Sequence, residues 1–214
     1  EKFLEDKEIS AQEIHEAIRK GVIKNTFLPV LTGTALRNRG VQLVLDAITR
    51  YLPSPLEVPP ITGMHPKTEK VVVRKADSKE PFCGLVFKIA SDPYVGKLFY
   101  TRIYSGIIKA GDTVYNSSLD KKERVSKIVV MHSKKQEITP SVEAGEIVAL
   151  VGLKETKSGN TVCDDKNPVL IESMNVPEPV VSMAIEPKAK ADQDNLGLIL
   201  RKFLDEDPSL KVVY

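Results

Sequence analysis

The chain has 214 residues, 42% of them apolar and 28% charged, the balance of a globular protein rather than of a disordered tail. Its 31 basic and 29 acidic side chains leave a formal net charge of +2, which excludes a polycationic nucleic-acid wrapper but not a local basic patch. No run approaches the ~20 apolar residues that span a bilayer, and the start, Glu1-Lys2-Phe3-Leu4-Glu5-Asp6-Lys7, lacks the layout of a signal peptide, so a cytoplasmic protein is expected. Cys83 and Cys163 lie far apart among apolar, strand-like residues; they make no metal motif, and buried reduced thiols are expected.

Residues 1–52 carry the pattern helix, strand, helix. Ser10-Ala11-Gln12-Glu13 fits a capping box, in which hydroxyl and carboxylate each satisfy a free amide at a helix start. Ile14, Ala17, Ile18 and Val22 then follow at helical spacing. Residues 27–32 (Phe-Leu-Pro-Val-Leu-Thr) form an apolar run of strand length, and Val41, Val44, Leu45, Ile48 and Leu52 mark a second helical face after Gly40. Strand, polar loop, helix is the local order of an α/β domain, whose ligands sit at the carboxyl ends of strands. A domain that opens on its last elements is expected to be the tail of a larger one. Pro53, Pro55, Pro59, Pro60 and Pro66 then crowd one interval; each removes a backbone donor, so residues 53–68 are expected to be a linker.

Residues 69–176 hold many short β-branched or aromatic runs, at 71–73, 84–89, 97–104, 124–130 and 146–151. Turn signals separate them: Asp92-Pro93, Ser105-Gly106, Gly111-Asp112, Ala144-Gly145 and Ser158-Gly159. That spacing predicts a closed antiparallel β-barrel. Past Pro177-Glu178-Pro179, a strand is expected over 180–185, a helix with Leu196, Ile199, Leu200 and Phe203 on one face, a turn at Asp207-Pro208 and a strand from 210. Strand-helix-strand is half of a small α+β domain, and both ends of the chain have the look of cuts.

No catalytic constellation stands out. His15, His65 and His132 fall in different segments without partners at metal-ligand spacing. There is no Gly-x-Ser-x-Gly, His-Glu-x-x-His or Gly-x-x-x-x-Gly-Lys-Ser/Thr run. Asp164-Asp165 and Asp205-Glu206-Asp207 flank turns and need no acid–base role. Cations cluster at Lys121, Lys122, Arg124 and Lys127, and at Lys134-Lys135. Such a loop attracts phosphate by Coulomb forces and counterion release; a solvated turn of mixed charge is the plain alternative. Lys188-Ala189-Lys190 with Asp192 is expected to be an ordinary cap at a helix start.

A family resemblance rests on ordered blocks. Pro29-Val30-Leu31-Thr32-Gly33-Thr34-Ala35-Leu36-Arg37-Asn38-Arg39-Gly40-Val41-Gln42, followed by Tyr51-Leu52-Pro53-Ser54-Pro55, resembles the end of the GTPase domain of elongation factor G. Phe87-Lys88-Ile89 through Asp92-Pro93, Gly96-Lys97-Leu98, Arg102-Ile103-Tyr104-Ser105-Gly106 and Gly111-Asp112-Thr113-Val114-Tyr115-Asn116 resemble its second, barrel domain. Pro177-Glu178-Pro179-Val180, Glu186-Pro187-Lys188, Lys190-Ala191-Asp192-Gln193 and Glu206-Asp207-Pro208-Ser209 resemble the opening of its third.

The resemblance implies three parts: the C-terminal piece of a P-loop GTPase α/β domain (1–52), a translation-factor β-barrel (69–176) and the start of a ferredoxin-like α+β domain (177–214). It implies a parent GTP hydrolase, with GTP and magnesium as cofactors, that drives translocation of tRNA and mRNA on the ribosome and works with a recycling factor. Of the nucleotide motifs it leaves Thr34 and Ala35, a turn that in the family commonly reads Gly-Ser-Ala and contacts guanine through a backbone amide. This chain alone is then expected to be inactive, monomeric and without a cofactor of its own. The family's barrel touches small-subunit ribosomal RNA, which makes Lys121, Lys122, Arg124 and Lys127 its RNA-contact candidates. The block at 131–138 departs from the family, which usually carries an Arg where Lys135 or Gln136 stands; Lys binds as a point charge and cannot make a two-pronged fork. Recycling, ribosome-protection and release-factor GTPases share this barrel, and a stand-alone RNA-binding module is a further alternative.

Overall fold

The computed structural model describes residues 2–5, 7–92, 95–133, 135–171, 176, 178–187, 189 and 192–213. They fall into two compact units, Glu1–Pro59 and Pro60–Tyr214. The expectations at Pro93, Lys134, Pro177, Lys188, Lys190, Ala191 and Tyr214 lie outside the described residues.

In the first unit, α1 (Ala11–Ile23) begins on the expected capping box: Ser10 Oγ accepts from the Glu13 amide and Glu13 accepts from the Ser10 amide at 3.1 Å. Lys2 also bonds the Glu13 carboxylate, and together with Ser10 it holds that group down at a pKa of about 2. Gly21 is the buried residue of α1, because the Phe27 ring lies where a Cβ would be. A single 3₁₀ turn (Ala35–Arg37) precedes α2 (Val41–Tyr51). Arg19 of α1 ties the two helices together. Its guanidinium donates to the Arg50 carbonyl at 2.6 Å and grips both Glu57 carboxylate oxygens, at 2.6 and 2.7 Å.

The strand expected over 27–32 does not form. A strand requires a neighbour to complete its ladder, and among the described residues of this unit the one β-bridge is Thr34 with Arg39. The run is left largely exposed, Val30 at 89%.

The second unit is antiparallel throughout. In chain order its strands are β1 (Ile61–Met64), β2 (Val71–Arg74), β3 (Cys83–Asp92), β4 (Gly96–Ser105), β5 (Ile107–Lys109), β6 (Thr113–Asn116), β7 (Lys121–Arg124), β8 (Lys127–His132), β9 (Lys135–Thr139), β10 (Ser141–Glu143), β11 (Ile147–Val151), β12 (Thr161–Cys163) and β13 (Leu170–Ile171). Eight strands form one sheet in the order β7-β6-β12-β3-β4-β11-β8-β9, β10 pairs with β5, and β13-β1-β2 make a small third sheet. Val114 of β6 and Ile128 of β8, from opposite flanks of the eight-stranded sheet, share one buried cluster with Val86, Phe99, Ile103 and Leu150. Strands so far apart in the order meet in one core only if the sheet curls, and Ile108 and Val142 of the β5–β10 ladder fill the same interior. The expected barrel is therefore present. Part of the stretch expected to be a linker, 53–68, is a strand instead: β1 pairs with β2 and β13, its prolines lying outside the ladder.

Past the barrel, the expected helix is α3 (Gln193–Glu206), and the turn at Asp207 forms through the Leu210 amide. Residues 180–185 and 210–213 are not strands, for the same reason as 27–32: no described neighbour offers them a ladder. The carboxyl end of α3 is fixed to the barrel hairpin. Asp205 pairs with Lys97 at 2.6 Å and Glu206 accepts from the Ser91 amide at 2.8 Å.

Substitutions in each unit probe these contacts. Gly106 turns β4 into β5 at φ +73°, and a Cβ there would sit 2.6 Å from Phe82 and Glu80 backbone atoms, whereas Gly96, at φ +90°, has open space around it. Urea unfolding is expected to find Gly106→Ala destabilised by about 2 kcal/mol or more, and Gly96→Ala by about 1 kcal/mol, the cost of the left-handed backbone alone. Glu57 is held at about 2 against an ordinary 4.5, first by the Ser54 amide and then by Arg19. A carboxylate with a lowered folded pKa stabilises above its unfolded value and loses that contribution as pH falls. The helical signal of the wild-type chain is thus expected to weaken between pH 4.5 and about 2, with Glu57→Gln removing part of that dependence.

Candidate nucleic-acid interface

Three of the four basic candidates stand on β7, at the edge of the eight-stranded sheet. Lys121, Lys122 and Arg124 are exposed and Glu123 is buried. Glu123 is an anchor: its carboxylate accepts from the Glu155 amide at 2.8 Å and from the Thr156 hydroxyl at 2.6 Å. Thr156 in turn accepts from Asn116 on β6, and Asn116 also bonds Asn160. This buried network pins the loop from β11 to β12 against the foot of β7. The pinned loop places Glu155 beside Lys121, whose ammonium it pairs with, while Asp165 takes Lys122 at 2.6 Å.

Arg124 turns its Nε to the Gly111 carbonyl at 3.3 Å. Lys127 opens β8 two residues beyond a buried Val125; it is exposed, opposite Val151 in the ladder. Lys121, Lys122 and Arg124 thus share the edge strand, whereas Lys127 stands on β8, between β11 and β9. Exposed pairs such as Lys121–Glu155 and Lys122–Asp165 contribute ~0–1 kcal/mol each, little enough for a phosphate to displace the carboxylate. Sequence reasoning placed Asp165 only at a turn and missed its pairing with Lys122, as it missed Glu155 and the role of Glu123, because each contact joins residues more than 30 positions apart. It also missed Asp120, which accepts from the Tyr115 hydroxyl at 2.7 Å and pushes that phenol up to about 12.

At the departing block, Gln136 donates to the Asp92 carboxylate at 2.8 Å. Gln136, one of the two positions where the Arg is expected, thus presents a single amide to a carboxylate. The histidines stay apart: His15 bonds Tyr51 at 2.5 Å, His65 accepts from two backbone amides, and His132 faces Glu137 at 3.8 Å. Among the described residues no cluster of His, Cys, Asp or Glu could hold a metal.

In the first unit, Thr34 and Ala35 sit at the mouth of a pinched loop. Thr34 and Arg39 exchange backbone hydrogen bonds at 3.0 and 3.1 Å, and Gly33 and Gly40 touch so closely that a Cβ on either would meet backbone. The pinch holds Thr34 and Ala35 at the surface, with Leu36 beside them 99% exposed.

Residues 96–163 match the family model of elongation factor Tu domain 2, and residues 176–214 match that of elongation factor G domain III. The crystal structure of a protein from Thermus thermophilus aligns with a TM-score of 0.70 at 29% sequence identity. The alignment covers 99% of this chain and 29% of that one, so the chain spans under a third of the relative's length. An antiparallel barrel of this type followed by a domain III is a pair of domains typical of translational GTPases. Within that class the chain is of the elongation factor G type, comprising the barrel domain and the start of domain III.

Replacing the anchor tests the architecture of this edge. Glu123→Ala leaves the Thr156 hydroxyl and the Glu155 amide without their acceptor, and urea unfolding is expected to register a loss of about 1–3 kcal/mol.

Proposed function

We propose that this chain belongs to a ribosome-dependent GTPase that drives translocation of tRNA and mRNA, and that its barrel is a ribosome-binding module contacting small-subunit RNA. The observation that carries this reading is the order of the two matches in one chain, the barrel at 96–163 and the opening of domain III from 176. Residues 1–52 are in this reading the carboxyl-terminal part of the parent's GTPase domain. The apolar side chains left exposed on that unit, Leu28, Val30, Leu43 and Leu45 among them, support it, because a complete α/β domain would cover such a face. Residues 177–214 open a ferredoxin-like domain whose further strands would pair with 180–185.

GTP with magnesium is the parent's cofactor. The pinched loop would offer Thr34 and Ala35 to the guanine base, but one backbone contact supplies a small part of a nucleotide's affinity, so this chain alone is inactive and binds GTP negligibly. The parent acts in the cytoplasm, as a monomer, with the ribosome and a recycling factor as partners. Nucleotide state in the parent biases how barrel and domain III are presented to the ribosome, a population shift through differential contacts. No helix among the described residues is long and apolar enough to cross a membrane.

Toeprinting tests the parent. With pre-translocation ribosomes, parent and GTP, a one-codon shift with turnover is expected; turnover without movement would assign it to the recycling or protection GTPases. The barrel is tested on the chain itself, by its binding to small ribosomal subunits across a salt series. Replacing Lys121 and Lys122 by Ala is expected to weaken binding and to flatten log K against log salt by about 0.7–0.9 for each phosphate that is no longer neutralised. An unchanged slope would move the interface elsewhere on the barrel.

A further inference from the structure

The two cysteines, 80 positions apart in sequence, stand directly opposite each other across the β3–β12 ladder, Cys163 against Cys83. Hydrogen bonds fix the kind of pairing. The Asp164 amide donates to the Phe82 carbonyl at 2.9 Å, and the Val86 amide to the Asn160 carbonyl at 3.0 Å. Hydrogen-bonded and non-hydrogen-bonded pairs alternate along an antiparallel ladder, so Cys83 and Cys163 form a non-hydrogen-bonded pair. At such a pair the side chains share a face and the Cα atoms are ~4.5 Å apart, within the ~4.4–6.8 Å that a disulfide spans.

Both thiols are free and wholly buried. They pack with Tyr115, Val169 and Ile171, under Ile61 and Val72 of the small sheet β13-β1-β2. Arg74, the last residue of β2, completes the arrangement. Its Nη2 donates to the Asn167 carbonyl at 2.9 Å, while its Nε is buried without a hydrogen-bond partner. Burial raises the pKa of both thiols, and Cys163 raises that of Cys83 further; the Arg74 charge opposes the rise at each. The closed barrel therefore keeps the pair inert. The cover is a sheet of strands two to four residues long, the kind of element that opens locally without global unfolding.

We propose that Cys83 and Cys163 form a dithiol site that a hydroperoxide converts to an intramolecular cross-strand disulfide whenever the small sheet opens. One sulfur, deprotonated to the thiolate once water reaches it, attacks a peroxide oxygen. The O–O bond breaks, leaving a sulfenic acid, and the displaced oxygen takes up the thiol proton as an alcohol. The second sulfur then attacks the sulfenic sulfur, its proton leaves with the hydroxyl as water, and the S–S bond forms. Two thiols lose two electrons, and one hydroperoxide is reduced to one alcohol and one water. The product ties β3 to β12 and returns to the dithiol with a thiol reductant.

The test exposes the wild-type chain to tert-butyl hydroperoxide under native conditions, with intact-mass and peptide mapping. Expected is a monomer lighter by two hydrogens, with one Cys83–Cys163 cross-linked peptide, reversed by dithiothreitol. Urea below the unfolding transition should speed the reaction. In Cys83→Ser, a sulfenic acid on Cys163 should persist and be trapped by dimedone. Oxygen added at single cysteines of the wild type, cross-linked dimers, or thiols that react only in the fully unfolded chain would each overturn the proposal.

Discussion

The hairpin of β3 and β4 is the constraint on which the second unit depends. It is the longest ladder in the molecule, running from Cys83 opposite Ser105 to Asp92 opposite Gly96, and two register shifts interrupt it, at Cys83/Gly84 and between Val86 and Lys88. Such irregularities bend a strand and increase its twist. A hairpin of two ten-residue strands that coils in this way cannot lie in a flat sheet. It offers one flank to β12 and the other to β11, and the strands beyond them are carried round until both flanks contribute to one core. The buried thiols and the attachment of α3 are both referred to this hairpin: α3 is held at Ser91 and Lys97, near its tip, and Cys83 lies at its foot.

The two units obtain their order differently. The barrel has a closed interior in which Phe99, Ile103, Ile128 and Leu150 are almost wholly buried, and the buried polar residues Glu123, Thr156 and Asn116 are hydrogen-bonded to one another. The first unit rests on polar contacts at its surface: the capping box, the bidentate grip of Arg19 on Glu57 and the pinched loop at Thr34. Its helices bury a glycine and an alanine and leave their larger apolar side chains toward solvent. Helices whose apolar faces lack cover derive little of their stability from packing, which is why caps and ion pairs matter more there than in the barrel.

What the sequence disclosed follows the range of the interaction. The capping box at Ser10, the amphipathic face of α2, the glycine turn at 106 and the helix from Gln193 are written within a few residues, and each is found in place. The barrel was legible as a rhythm of short strands and turns, although no single strand announces its neighbour. The runs at 27–32 and 180–185 have strand composition and no strand, because a ladder is a property of two segments and composition describes one. β1 was hidden for the opposite reason: prolines before and after it suggested a linker, while the residues that make it a strand are in β2 and β13. At the basic edge the cations were visible at once, but the carboxylates that face Lys121 and Lys122 come from loops 34 and 43 positions away. Only the fold brings them together.

The pairing of β3 with β12 carries a consequence for how the chain is made. Leu85 meets Thr161, so the central strand of the sheet must wait for a partner synthesised some 75 residues later. At ~5–20 residues per second, β3 and β4 can pair with each other seconds before that partner exists. During that interval β3 presents a long apolar edge with unfilled amides and carbonyls, the template on which strands from other chains can add. The capped helix α1 of the first unit, by contrast, is built from contacts that are complete as soon as its residues emerge. Folding of this chain is therefore local at its beginning and deferred in its middle, and the deferred step is where crowding, or a chaperone, has time to intervene.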